Sequence, residues 1–205
     1  MKSLLIENST AKGTVAVAGR EQILARQEFS NAGELAIVIQ EIFLEIGAPD
    51  EIVVGIGPGS YTGLRVASAT AIGLQLALGC PAFGCPSVFG YRDFSYHVVG
   101  DARLGAVFLA SIENKRFVRG PELLPIEEFR SLRTTLRGGK IFAIGPIPGC
   151  TDLPVVRPEA EYLAGCRENY VPSLEPLYLK EPHITNPGVR IQKAGIRRLA
   201  RPSDS

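Results

Sequence analysis

The sequence predicts an α/β protein of two related lobes, and three patterns carry that reading. Three short β-type runs, 2–6, 14–18 and 23–29, precede an alternation of helix, strand, helix, strand and short helix over residues 33–91. A glycine-rich turn, Gly57-Pro58-Gly59-Ser60, joins an apolar run to a long apolar helix. The succession of meander, helix and strand returns in abbreviated form after residue 92, without a true sequence repeat. The expected divisions are 1–91 for a first lobe, 92–182 for a smaller second lobe and 183–205 for a basic tail.

Composition supports a globular chain. At 205 residues with 45% hydrophobic content it can bury a proper core. A formal net charge of +1 gives no field suited to nucleic-acid binding by the chain alone. Its four cysteines, Cys80, Cys85, Cys150 and Cys166, make no Cys-x-x-Cys pair, and with only His97 and His183 beside them no structural metal is expected. Met1 to Ile6 is cut off by Glu7-Asn8 before a secretory h-region is complete, so a reducing cytoplasm is the expected location.

Taken in order, 2–6, 14–18 and 23–29 read as an antiparallel meander. The loop 7–13 between the first two strands is polar. Leu35, Val38, Ile39, Ile42, Phe43 and Ile46 recur at three- and four-residue intervals, which predicts an amphipathic helix over 33–46, ended by Gly47 and Pro49. Ile37 and Leu44 fall outside its main stripe and hint at a contact surface. Ile52 to Ile56 reads as a buried strand and 62–79 as a helix, with Ser60 or Thr62 as its cap. Only Arg65, Ser68, Thr70 and Gln75 are polar between Gly63 and Leu78, and a helix apolar all round is expected to be buried all round. At about 25 Å it falls short of the ~30 Å hydrocarbon core, so a second protein is the expected cover rather than a membrane. A strand at 82–85 and a short helix at 87–91 complete the first lobe. The second is expected to hold strands at 98–101, 104–112, 116–123 and 141–145, with helices at 126–136 and 158–168. The tail carries Arg190, Lys193, Arg197, Arg198 and Arg201, cations suited at most to sequence-blind electrostatic contact.

Chemistry-bearing patterns are sparse. No Lys lies between Lys12 and Lys115, so a P-loop is excluded, and Gly57, Gly59 and Gly63 give Gly-x-Gly-x-x-x-Gly rather than the dinucleotide fingerprint. Ser60 has no histidine before residue 97, which argues against a serine nucleophile, and two isolated histidines cannot supply a metallopeptidase site. The glycine turn then has two readings: a tight strand-to-helix connection, or a loop that lets backbone approach an anion.

The stretch Gly57-Pro58-Gly59-Ser60-Tyr61-Thr62-Gly63-Leu64-Arg65, with its Ala-rich helix and Gly79-Cys80-Pro81, resembles the signature of the bacterial TsaB (YeaZ) family, whose usual form has Phe where Tyr61 stands. Asp101-Ala102-Arg103 with Gly105 and Val107-Phe108, and Pro176-Leu177-Tyr178-Leu179-Lys180, are similar to two later family motifs. The likeness runs from residue 2 to about 182. It implies an actin-like, hexokinase-like (ASKHA) fold of two related lobes, with mixed sheets flanked by helices, and descent within the glycoprotease-like superfamily. It also implies a non-catalytic partner of the TsaD subunit, working with the ATPase TsaE to form N6-threonylcarbamoyladenosine beside the anticodon of tRNAs. The tRNA would be reached only indirectly. Helices 33–46 and 62–78 would pack on TsaD, or on a second copy as a homodimer in its absence, with Leu35, Val38, Ile42, Leu64, Ala67, Ala71 and Leu74 as expected interface residues.

Where the family's first strand ends Ile-Asp-Thr-Ser, this chain has Ile6-Glu7-Asn8-Ser9, and a histidine usual at the first helix is missing from 30–34. Glu7, Asn8, Ser9, Gly57, Gly59, Ser60 and Thr62 are the candidates for a degenerate nucleotide or phosphate site. No cofactor is expected to be required, and ATP or ADP with magnesium would bind only weakly. The rival reading is a stand-alone ATP-hydrolysing enzyme or glycoprotease-type peptidase, against which stands the poverty of catalytic groups.

Overall fold

In the computed structural model, which describes residues 1–179, two sheets are stacked with helices outside them. The first sheet has the order β3-β2-β1-β4-β5, built from β1 (Ser3–Glu7), β2 (Gly13–Ala18), β3 (Ile23–Phe29), β4 (Glu51–Gly55) and β5 (Ala82–Cys85). The meander β1–β3 is antiparallel, whereas β4 and β5 run parallel to β1 through helical crossovers. The second sheet, β8-β7-β6-β9, repeats the first four positions of that order with β6 (Tyr96–Asp101), β7 (Ala106–Glu113), β8 (Arg116–Pro125) and β9 (Lys140–Ala143). This doubled plan is the actin-like, hexokinase-like α/β class that the sequence predicts.

Alternation along the strands sorts the core into layers. Leu4, Ile6, Val15, Val17, Ile52 and Val54 point to one face of the first sheet, where they meet α1 (Leu35–Ile46) and α2 (Tyr61–Leu78). Leu5, Ala16 and Val53 point the other way, into a cluster shared with Tyr96, Val98, Phe108, Ala110 and Phe142 of the second sheet. Val99, Val107, Leu109 and Ala143 face outward again, beneath Phe129 of α3 (Ile126–Leu132).

The final helical segment, Ala160–Asn169, is a 3-10 segment broken at Cys166 rather than a regular helix, and it lies between the sheets. Ala160 N donates to Thr14 Oγ1 at 2.8 Å, Arg26 pairs with Glu161 at 2.6 Å, and Arg167 reaches Glu51 with both terminal nitrogens at 2.8 and 3.0 Å. An element from the second half of the chain thus packs on the first sheet. Local chemistry also trims several expected elements. Arg103, Leu104 and Gly105 turn through positive φ, so β7 starts at Ala106 rather than at 104. Ser87–Phe89 makes only a 3-10 turn, and α3 ends at Leu132.

The expectation that the helix after the glycine turn is buried all round is corrected. Gly63, Leu64, Ala67, Ser68 and Ala71 are buried against the sheet, but Ile72 and Leu76 on the opposite side are 45% and 80% exposed. One chain has one sheet to offer each helix, and the second apolar face is left in solvent.

Candidate functional site

Two surfaces stand out. The first is a cleft of about 750 Å³ between the end of the first sheet and the turn joining β6 to β7. The second is the outward face of α1 and α2.

The cleft is built where loops from both sheets meet. Ser60 caps α2, its Oγ accepting from Gly63 N at 3.3 Å, and Ser60 N donates to Ser9 O at 2.7 Å. Asn8 Nδ2 donates to Gly63 O at 3.1 Å. The glycine turn is therefore stapled to the end of β1. A Cβ at Gly59 would overlap the Ser9 backbone and one at Gly63 the Asn8 carbonyl, so close approach of the chain to itself demands both glycines.

Of the expected nucleotide-site residues, Ser9, Gly59, Ser60 and Thr62 line the cleft, whereas Glu7, Asn8 and Gly57 lie outside its lining. Asn8 is spent on Gly63. Gly57 binds Ser87 instead, through Gly57 N to Ser87 Oγ at 2.9 Å and Ser87 N to Gly57 O at 2.8 Å. Glu7 is 1% exposed and its carboxyl fills the space that a Cβ would take at Gly55. Its Oε1 accepts from Ser9 N at 2.7 Å, while Oε2 has no hydrogen-bond partner among the described residues. Burial raises its pKa above the usual carboxylate range, against the opposing pull of the Ser9 and Ser87 hydroxyls. Such a carboxyl does not suit a magnesium ion in the cleft. Asp101 is the one carboxylate among the described lining residues, and its Oδ1 accepts from Arg103 N at 2.8 Å. No group of three His, Cys, Asp or Glu side chains suited to a metal occurs among the described residues.

The opposite wall combines Asp101, Ala102, Arg103 and Arg157 with an apolar floor of Phe108, Leu123 and Ile144. The chain's own late segment supplies the rim. Leu177 N donates to Ile56 O at 2.7 Å, and the Tyr178 ring lies 5.1 Å from that of Tyr61. Arg65 sits over Tyr61 at 3.9 Å and donates to Tyr178 Oη at 3.0 Å.

The helix faces also require a correction. Leu35, Val38, Ile42, Ala67 and Ala71 are buried in the cluster under the first sheet and Leu64 is buried as well, so these six are not presented to a partner, whereas Leu74 is only partly buried against that cluster. The strongest apolar stripe on a helix is consumed by its own sheet. What remains outside is Ile37 and Leu44 on α1, with Ile72, Leu76 and Leu78 on α2, among small residues such as Gly73. Ile37 and Leu44 are 56% and 82% exposed, as their place off the stripe predicts.

Residues 28–91 match the sequence family described as TsaD: tRNA N6-adenosine threonylcarbamoyltransferase. YeaZ from Pseudomonas aeruginosa superposes with a TM-score of 0.67 at 22% identity, over 87% of this chain and 99% of that one. The fold is YeaZ-like. A Pseudomonas aeruginosa protein described as similar to peptidase YeaZ agrees, with a TM-score of 0.68 and 21% identity over 87% and 99% of the two chains. Uncharacterized protein ML0378 of Mycobacterium leprae is 43% identical over 75 residues, 35% of this chain, which spans about a fifth of that relative's length.

In this YeaZ-like chain the three motif stretches noted in the sequence converge on one cleft: the glycine turn, 101–108, and 177–179. Asp101 is weighed in the sequence only as a carboxylate able to bind magnesium, with solvation the favoured reading, and Arg103, Arg157 and Tyr178 are given no site role there. The later motif stretches that hold Asp101, Arg103 and Tyr178 are visible in the sequence, but only the stacking of the sheets brings them to the cleft. Nothing in the sequence around Arg157 marks it. The basic residues 183–205 and Lys180 lie outside the described residues. No helix among the described residues is long and apolar enough to cross a membrane.

Proposed function

We infer that this chain is a TsaB-type, non-catalytic partner of a TsaD-type subunit in forming N6-threonylcarbamoyladenosine in tRNA. The observation that carries the reading is the outward apolar face of α1 and α2, where Ile37, Leu44, Ile72 and Leu76 stand in solvent around small residues. Burying such a face contributes about 25 cal/mol per Å² toward association, and the small side chains let a second pair of helices approach closely. The match of residues 28–91 to the TsaD family and the YeaZ-like fold give the partner its chemical class. A related helix pair on a TsaD-type subunit fits this surface, a second copy occupies it otherwise, and a TsaE-type ATPase joins the assembly.

The cleft takes a subordinate place. Its hydroxyls and the α2 N-terminus suit a phosphate group, but the withdrawn Glu7 carboxyl leaves ATP or ADP only a degenerate, magnesium-poor site. The test is tRNA threonylcarbamoylation by purified TsaD- and TsaE-type proteins with ATP and the threonylcarbamoyl donor, with and without this chain. Modification that depends on adding the chain, and that Leu76→Arg removes, is the expected result. Modification unaffected by the chain, together with ATP hydrolysis or peptide cleavage by the chain alone, would mean that the cleft is an active site.

A further inference from the structure

We propose that Arg65, fixed against Tyr61 and Tyr178, is the charged anchor of the outer α2 face and selects a partner helix that brings an aspartate or glutamate side chain to it. The inference rests on the docking role given above to that face. At about 100° per residue, Arg65 lies within about 20° of both Ile72 and Leu76 around the helix, so the three share one stripe. Ile72 and Leu76 are its exposed apolar members, and the small Ala69 stands one turn from Arg65 in solvent.

An exposed arginine is ordinarily free to swing through its rotamers. Arg65 is held. Its guanidinium carbon sits 3.9 Å from the centre of the Tyr61 ring and 5.9 Å from that of Tyr178, and its Nε donates to Tyr178 Oη at 3.0 Å. The two rings lie 5.1 Å apart, tilted by 40°. Beside them Leu177 N donates to Ile56 O at 2.7 Å, which fastens the Tyr178 segment next to the end of β4. Part of the side-chain entropy that an arginine loses on binding is therefore already lost in the free chain.

What this platform lacks is an anion. No carboxylate of the described residues pairs with Arg65, whose polar neighbours are the two tyrosines. From Tyr61 to Leu78 the helix itself contains no Asp or Glu. The planar guanidinium offers a fork of N–H donors that matches a carboxylate, and ring stacking covers one of its faces without taking up that fork. A second copy set α2 against α2 would bring another arginine and no acid, which repels. The occupant that fits is therefore a different chain, with apolar side chains over Ile72 and Leu76 and a carboxylate opposite Arg65.

The test is titration calorimetry of the full chain with a purified TsaD-type subunit at about 50 and about 500 mM NaCl, on either side of strong screening. The wild type should lose about tenfold in affinity across that range, while Arg65→Gln should bind about tenfold more weakly at low salt and change less than about threefold with salt. Arg65→Lys keeps the charge without the fork, and should regain the salt dependence at intermediate affinity. Arg65 is exposed, so these variants should fold and melt within about 2 °C of the wild type. An Arg65→Gln chain that binds like the wild type would overturn the inference. So would one that binds weakly with the wild-type salt dependence, because the arginine would then serve only to hold Tyr178. Wild-type chains that self-associate with the same dependence on Arg65 would make a second copy the occupant and overturn it as well. Leu76→Arg separates the two levels. If it still binds, the docking reading fails and takes this inference with it; if it abolishes binding while Arg65→Gln changes nothing, this inference fails alone.

Discussion

The two faces of α2 are made of nearly the same residue types and do opposite work. Ala67 and Ala71 lie against β4 and β5 with no contact with water, whereas Ile72 and Leu76, one and five positions beyond Ala71, stand in solvent. At 100° per residue, one step along the helix is enough to leave the core. Apolar character therefore does not say where a side chain is buried; the partner that faces it does. The inner face belongs to folding and the outer face is free for association, and substitutions should separate the two.

The largest effect is expected from Ala71→Arg. A guanidinium forced into the sheet interface has no counter-charge or room, which costs several kcal/mol, roughly 3–5, so thermal melting should show gross destabilisation or no folded protein at all. A variant that melts like the wild type would place Ala71 on the outside. Next comes Gly63→Ala, where the added methyl meets the Asn8 carbonyl; a loss of about 1–3 kcal/mol in urea unfolding is expected, unless β1 and the glycine turn move apart.

A smaller, pH-dependent effect belongs to Glu7. Its folded pKa is raised above the ordinary 4.5, so the native state holds a proton that the unfolded chain releases. Its contribution to stability is whole below about 4.5 and is lost as pH rises through the folded value. Glu7→Gln should remove that loss, so that unfolding midpoints of wild type and variant diverge from pH 4.5 upward, with the variant the more stable at neutral pH. Parallel curves would show that Glu7 is ionised in the fold. The smallest effect on stability, within about 0.5 kcal/mol, is expected for Leu76→Arg, because its side chain is already in water. Yet this variant should lose complex formation with the TsaD-type subunit on a sizing column. An unchanged complex would remove the outer face from the interface.

Much of the fold was legible because local chemistry is explicit. The β3 bounds, the stop of α1 at Gly47 and the Ser60 cap of α2 follow from residue type and spacing, whereas α2 ends at Leu78 with Gly79 as a left-handed cap rather than as a helical residue. Turn chemistry was less legible. Arg103 and Leu104 adopt positive φ with no glycine or asparagine to announce it, and the expected strand begins two residues late. The site was legible only in pieces. Ser9 and Ser60 were named as neighbours of a cleft, but Glu7 was expected to face it and instead turns under Gly55, because its longer side chain reaches the gap that the glycine leaves.

By itself the sequence determined the order of elements, the turn that needs glycines, and the existence of more apolar helix surface than one sheet can cover. Periodicity and turn preference are local properties, so one chain read in order contains them. Only the tertiary structure decided which apolar face meets the sheet, that 160–169 crosses to lie between the sheets, and that Asp101, Arg157 and Tyr178 share a cleft with Ser60. Those outcomes depend on contacts between residues far apart in the chain, and on which of two similar surfaces reaches a partner first.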